Sequence, residues 1–188
     1  MSNEPTTYLA YKIAGKKEDI WIAIMGCISD HFLPEFVPEF KKRFKEMWGD
    51  VKTPFDAFYN TEIGKIAKIL NFALKDSITN VVKLQNFLLN LNNPGEILLE
   101  EYSNYTFRKK YDEINKKYSA LLERAKRETI EKVLFFDYSG DLSISSDLSN
   151  ELCYLYPEKY ILVAYKKGEI CNVSARGKDV KSMLLKII

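Results

Sequence analysis

The chain has 188 residues, 46% of them hydrophobic, and its 28 Lys and Arg against 26 Asp and Glu leave a net charge of +2. That size and apolar content support one domain, or two small ones, with a real core. The near-neutral balance excludes a dedicated histone-like polycation but leaves room for a local basic groove. No apolar run approaches the roughly 20 residues needed to cross a bilayer, so no membrane partner is expected. The first residues carry neither a basic n-region nor an apolar h-region, so a cytoplasmic location is expected. Cys27, Cys153 and Cys171 are odd in number, widely spaced and set among apolar neighbours. They read as reduced core residues, with no Cys-x-x-Cys pair for zinc.

In chain order, Pro5 followed by Thr6 to Ile13 predicts a short helix ended by Gly15. Ile20, Trp21, Ile24 and Ile28 recur at helical spacing, so the next apolar run predicts a buried helix that stops on Asp30. Gly26 leaves room there for close backbone approach. A carboxylate at the inner end of such a helix is costly to bury unless a cation meets it. Pro34 and Pro38 punctuate the following segment, where Phe36, Val37, Phe40, Phe44 and Met47 predict a helical face reaching Gly49. Thr53-Pro54 restarts the chain, and helical periods take over from Thr61. Ile63, Ile66, Ala67, Leu70 and Leu74 form one stripe; Ile78, Val81, Val82, Gln85, Leu88 and Leu89 form another. Asn92-Asn-Pro-Gly95 is a strong stop.

Residues 102–132 form the longest helical candidate, with Ile114, Tyr118, Leu121, Leu122 and Ala125 on one side and dense charge elsewhere. Val133 to Tyr138 then reads as a strand, and Ser145 begins a capped helix that runs through Tyr154 to the stop at Pro157. Tyr160–Tyr165 and Glu169–Ser174 read as two strands about a turn at Lys167-Gly168. Residues 179–187 read as a last amphipathic helix. The fold class expected is α/β, with a mostly helical first part and a boundary inside the long helix.

Three segments, in this order, resemble the later half of an archaeal RecJ-like DHH phosphoesterase. Glu4-Pro-Thr-Thr-Tyr-Leu-Ala-Tyr-Lys-Ile13 is similar to the family's threonine-rich helix. Ala23-Ile-Met-Gly-Cys-Ile-Ser-Asp30 is similar to its Gly-x-x-x-Asp motif. Ile161 through Ala175-Arg176-Gly177 is similar to the start of the accessory DHHA1 domain, where a strand with a Ser-x-Arg pattern approaches the nucleic-acid backbone. The resemblance implies the C-terminal part of a DHH core with a helical extension (1–101), a linker helix (102–132) and a truncated DHHA1-like α/β domain (133–188). The family's Asp-x-Asp, Asp-His-His and Gly-Gly-Gly-His motifs are absent from this sequence, and the single histidine, His31, does not fit the missing pair. The chain is therefore expected to be one product of a split gene, a truncated piece or a degenerate paralogue.

The chemistry implied is phosphodiester hydrolysis with two divalent cations, Mn²⁺ or Mg²⁺, typically ~3.5–4 Å apart, which demands a cluster of carboxylates and imidazoles. By the resemblance, Asp30 supplies one metal ligand, whereas the residues alone favour a helix-end aspartate facing solvent. His31 is a neighbouring donor or a packed turn residue. Ser174 and Arg176, two apart on an extended segment, point to one side and are expected to grip a phosphate; the alternative is a surface arginine at a strand end. No catalytic set is complete in this chain, so the metal requires a separate N-terminal DHH subunit. The implied activity is that of a single-stranded DNA or RNA exonuclease. The rival is a non-catalytic scaffold binding GINS and the replicative helicase, and relatives that cleave small dinucleotides supply a third expectation. Asp137, Asp141 and Asp147 read as turn and cap residues. The Arg108–Lys110, Lys116-Lys117 and Arg124–Arg127 cluster reads as a solvated helix surface or a path for a nucleic-acid strand.

Overall fold

The computed structural model describes residues 4–91, 93–99, 101–180 and 182 as a mixed α/β fold. Two compact units divide the chain between residues 113 and 114, inside one long helix. Among the described residues, no helix is long and apolar enough to cross a membrane.

The first unit is helical and is organised around an element that is apolar on nearly every side. Helix α1 (Thr6–Ala14) ends, as expected, at Gly15, whose φ of 64° lets its N–H reach the Tyr11 carbonyl. Helix α2 (Ile20–Ser29) buries Ile20, Trp21, Ala23, Ile24, Cys27 and Ile28. A helix with so little polar surface has to be enclosed by its neighbours, and α1 packs along it at Gly26. A methyl at that position would lie 2.5 Å from Thr7 Cγ2, so only glycine permits the approach.

The aromatic segment divides where one continuous helical face was expected. Helix α3 (Val37–Arg43) stops at Phe44, and a single 3₁₀ turn covers Lys45–Met47. Phe36, Phe40, Phe44, Met47 and Trp48 are nevertheless all buried, with the Phe40 ring 5.3 Å from Phe44 and 5.7 Å from Trp48. A short helix that periodicity does not reveal follows, α4 (Pro54–Tyr59). The Thr53 hydroxyl accepts the Asp56 N–H at 3.1 Å and Asp56 Oδ2 accepts the Thr53 N–H at 2.8 Å, a reciprocal cap.

Helix α5 (Glu62–Ala73) packs on α2 and buries Ile63, Ile66, Ala67, Ile69 and Leu70. Its start is welded to α4. Thr61 Oγ1 accepts the Gly64 N–H at 3.0 Å and donates to the Ala57 carbonyl at 2.5 Å. A methyl on Gly64 would sit 2.1 Å from the Phe58 carbonyl oxygen. Helix α6 (Ile78–Leu89) is capped by Ser77, but it does not bury the stripe expected of it. Ile78 (84% exposed), Val82 and Leu89 (83%) face outward, and Leu84 is the residue that α6 buries.

Helix α7 (Tyr105–Ala125) is shorter than residues 102–132 because the chain leaves the helix after Ala125 and enters a sheet. In the second unit, strands β1 (Thr129–Ile130), β2 (Val133–Ser139), β3 (Tyr160–Lys167) and β4 (Ile170–Arg176) lie side by side in that order. β2 and β3 run parallel, joined by the crossover helix α8 (Ser145–Leu155), and the β3–β4 hairpin turns at Gly168 with φ 61°. Leu134, Phe136, Tyr138, Ile161, Val163 and Tyr165 alternate into the core of this unit. Ile114, Tyr118, Leu122 and Ala125 of α7 are buried with them. The Tyr118 hydroxyl donates to Glu151 of α8, and the Arg124 guanidinium lies over the Phe136 ring at 5.5 Å. Tyr138 accepts the Ile144 N–H at 2.7 Å while Tyr165 donates to the Gly140 carbonyl at 2.7 Å, which fixes the loop before α8. The last helix read from residues 179–187 lies largely outside the described residues.

The three cysteines do not share one environment. Cys27 is fully buried, Cys153 is half-buried and Cys171 is exposed on β4, so only the first is a core residue of the kind expected. Burial, reinforced by the negative charge of Asp30, pushes the Cys27 thiol up to about 12. The native state therefore keeps a proton that the unfolded chain sheds above pH 9, and this contribution to stability falls as pH rises from 9 toward 12. At pH 8, a maleimide is expected to modify Cys171 rapidly, Cys153 slowly and Cys27 only after denaturation, read by peptide mass mapping. Gly64→Ala should lower stability by about 2–3 kcal/mol, because a backbone carbonyl cannot move aside. Gly26→Ala should cost only about 1 kcal/mol, since alanine's helix preference offsets part of the clash with Thr7. Urea unfolding followed by Trp21 and Trp48 fluorescence measures both.

Candidate functional site

Asp30 ends α2 in a fully hydrogen-bonded turn. The His31 N–H reaches the Ile28 carbonyl at 3.1 Å and the Phe32 N–H reaches the Cys27 carbonyl at 2.9 Å, the pattern of a left-handed helix stop. His31 takes the left-handed position with φ 55°, where glycine is the usual occupant. Its ring is held 4.2 Å from that of Phe55 with Nε2 buried, so His31 is a packed turn residue. Asp30 itself is exposed, the helix-end placement that the residues alone favour, and not held inward at the end of the apolar run. The stop turns the chain outward before the carboxylate has to be desolvated.

The carboxylate makes no hydrogen bond or ion pair with any described residue, and α2 has no basic side chain in its last turn. A negative group at the negative end of a helix is disfavoured by ~0.3–1 kcal/mol, a cost that a nearby positive charge would relieve. It borders a concave cavity of about 350 Å³ with Met25 and Gly26 of α2, Leu70 and Asn71 of α5, and Leu84 and Gln85 of α6 on its walls. Those walls are mainly apolar. Among the described residues no group of three His, Cys, Asp or Glu side chains could hold a metal. Asp30 is thus one donor without companions among the described residues.

Near Asp30, a second set of polar groups draws α1 to the turn after α2. Lys12 Nζ donates to Glu35 at 2.7 Å and the Tyr8 hydroxyl donates to the same oxygen at 3.0 Å. The hydrogen bond from Lys12 holds the Glu35 carboxyl below its ordinary range, while the bond to Glu35 holds Lys12 above its own. Tyr8 also stacks 6.0 Å from Phe36. These contacts fix α1, and with it Thr7, against α2.

Ser174 and Arg176 lie in the second unit and do share one side of β4. Both face α8. Ser174 Oγ is 3.0 Å from Ser145 Oγ, so Ser145 bonds the sheet instead of capping its own helix. Arg176 Nε donates to Asn150 Oδ1 at 2.6 Å, Nη2 to Ser146 Oγ at 3.1 Å and Nη1 to the Ala175 carbonyl at 2.8 Å. Among the described residues three of its five N–H groups are engaged, which leaves two to meet an anion. Ser145, Ser146 and Asn150 are the partners that sequence reasoning missed. Their one visible signal is the i, i+4 spacing of Ser146 and Asn150, which puts both on one helix face.

The other candidates have structural duties. Asp137 pairs with Lys166 at 2.8 Å, and Asp147 lies in the first turn of α8. In the basic series of α7, Arg108 donates to the Ile97 carbonyl at 3.4 Å, and Lys110 and Lys126 pair with Glu113 and Glu123. Arg176→Ala should lower stability by about 2 kcal/mol, since it removes charged hydrogen bonds that tie α8 to β4. Adding Asn150→Ala should cost less than it does alone, which a double-mutant cycle in urea measures. In comparisons with family models, with curated proteins and with solved structures, nothing matches this chain.

Proposed function

We propose that this chain supplies part of a RecJ-like, metal-dependent phosphodiesterase site acting on ends of single-stranded DNA or RNA, and that it has no activity alone. One observation carries the reading. The two segments that resemble the family's core, residues 4–13 and 23–30, pack directly against each other at Gly26 and Thr7 and lead to a carboxylate, unpaired among the described residues, on a concave rim. In this reading residues 1–101 belong to a DHH-like core and residues 133–188 to a DHHA1-like domain, in a cytoplasmic protein.

Asp30 fits a hard divalent cation such as Mn²⁺ or Mg²⁺, being an exposed oxygen donor at the negative end of a helix. A metal pair there would stabilise the charge that develops on the attacking and leaving oxygens. One carboxylate cannot hold two dications, so a separate subunit bearing Asp-His-His must bring the remaining ligands. Ser174 and Arg176 hold the substrate backbone: the two N–H groups of Arg176 still open to an anion meet a phosphate oxygen, and the anchors at Asn150 and Ser146 keep the guanidinium oriented.

The lack of companion ligands among the described residues favours a second reading, a non-catalytic scaffold that joins GINS and the helicase. Co-expression with a candidate DHH subunit, followed by assay of a labelled single strand with Mn²⁺, separates the two. Cleavage is expected only in the mixture. Asp30→Asn should then reduce it by more than the roughly 10–100-fold that loss of an outer-shell group costs. A stable complex that leaves the strand intact would favour the scaffold.

A further inference from the structure

The cavity beside Asp30 is a feature that a metal ligand alone leaves unexplained. Its volume of about 350 Å³ lies in the range of small-ligand pockets, and at ~30 Å³ per water-sized group it holds roughly a dozen such groups. Helices α1, α2, α5 and α6 all contribute to it. Ile22 and Met25 of α2, Leu70 of α5 with Leu74 just past its end, and Leu84 and Leu88 of α6 supply apolar walls. Polar groups are few. Asn71 and Gln85 bring amides, and Ser29 brings a hydroxyl whose hydrogen is already donated to the Met25 carbonyl at 2.9 Å, which leaves its oxygen to accept. Among the described residues of the lining, Asp30 is the one that carries charge, and α2, α5 and α6 each lack a basic side chain in the last turn. An apolar hollow therefore opens beside an uncompensated negative group, and the negative end of α2 adds to its field.

We infer that this pocket binds a small organic ammonium ion with an apolar body, its head at Asp30 and its body against Leu70, Leu84 and Leu88. The chemistry of the lining selects that class. A neutral apolar ligand would strip water from the Asp30 carboxylate and return no partner to it, and an anion would be repelled. A bare dication needs several hard oxygen donors, which the described residues do not group here. An ammonium needs less. One carboxylate answers its charge, and the Ser29 oxygen and the amide oxygens of Asn71 and Gln85 are the acceptors available to its remaining N–H groups. Burial of the apolar body supplies most of the affinity, so a solvated Asp30 suffices to orient the ligand.

This inference does not rest on the nuclease reading, whose cleavage test requires a second subunit; either can fail with the other intact. The isotopically labelled full chain is titrated with phenylbutylamine, and separately with the neutral phenylbutanol, at neutral pH and low salt, with backbone amide shifts followed by NMR. Saturable shifts are expected at Met25, Asn71 and Gln85, with the amine bound about fivefold more tightly than the alcohol, the upper worth of one exposed ion pair. Asp30→Asn, at an exposed position, should bring the two ligands to equal affinity. Leu74→Trp, half-exposed at the rim, should fill the space and weaken both by at least about tenfold. Shifts that do not saturate, or that miss the pocket, overturn the inference. So does equal binding of amine and alcohol by the unmodified chain, or a preference for the amine that survives Asp30→Asn.

Discussion

The first unit depends on the enclosure of α2, a helix with no polar side to present to water. Two glycines make that enclosure possible by different means. Gly26 lets α1 come down onto α2 through Thr7, and Gly64 lets the start of α5 nest against the carbonyls that end α4. With α5 held there against α2, Ile63, Ile66 and Ile69 are fully buried.

The second unit solves a different problem. Its parallel strand pair needs a crossover, and α8 supplies it while burying a row from each of β2 and β3. The polar groups of α8 and β4 then lock the helix in place: Ser145 with Ser174, and Ser146 and Asn150 with Arg176. A guanidinium held by three acceptors is well oriented for any anion that reaches its remaining donors. Structural anchoring and ligand contact are therefore compatible at this residue.

Much of this was legible in the sequence, for reasons that can be named. α2 announced itself through unbroken apolar spacing, and β2, α8 and the β3–β4 hairpin through their run lengths and Gly168. α6 misled because Ile78, Val81, Val82, Leu84, Phe87, Leu88 and Leu89 surround most of its circumference, so periodicity could not choose between faces. α4, at six residues, is too short to show a period, although Thr53-Pro54 and Asp56 already spelled its cap. The end of α7 was hidden because Thr129 and Ile130 form a strand of two residues, paired locally with Leu134 and Val133, too short to show a period and flanked by charged residues. At the site, the sequence located Asp30 and offered both an inward and a solvent-facing carboxylate, and the fold takes the second. Exposure depends on His31 adopting a backbone conformation that composition does not disclose.

The stop at His31 has a consequence for how any cation is recruited. Because the turn delivers Asp30 to open water, its field is quenched by dissolved ions within about one Debye length, ~8 Å at physiological ionic strength. A lone, well-hydrated charge of this kind cannot draw a metal from afar or retain one. Selectivity for a metal at such a carboxylate would have to come from further donors beside it.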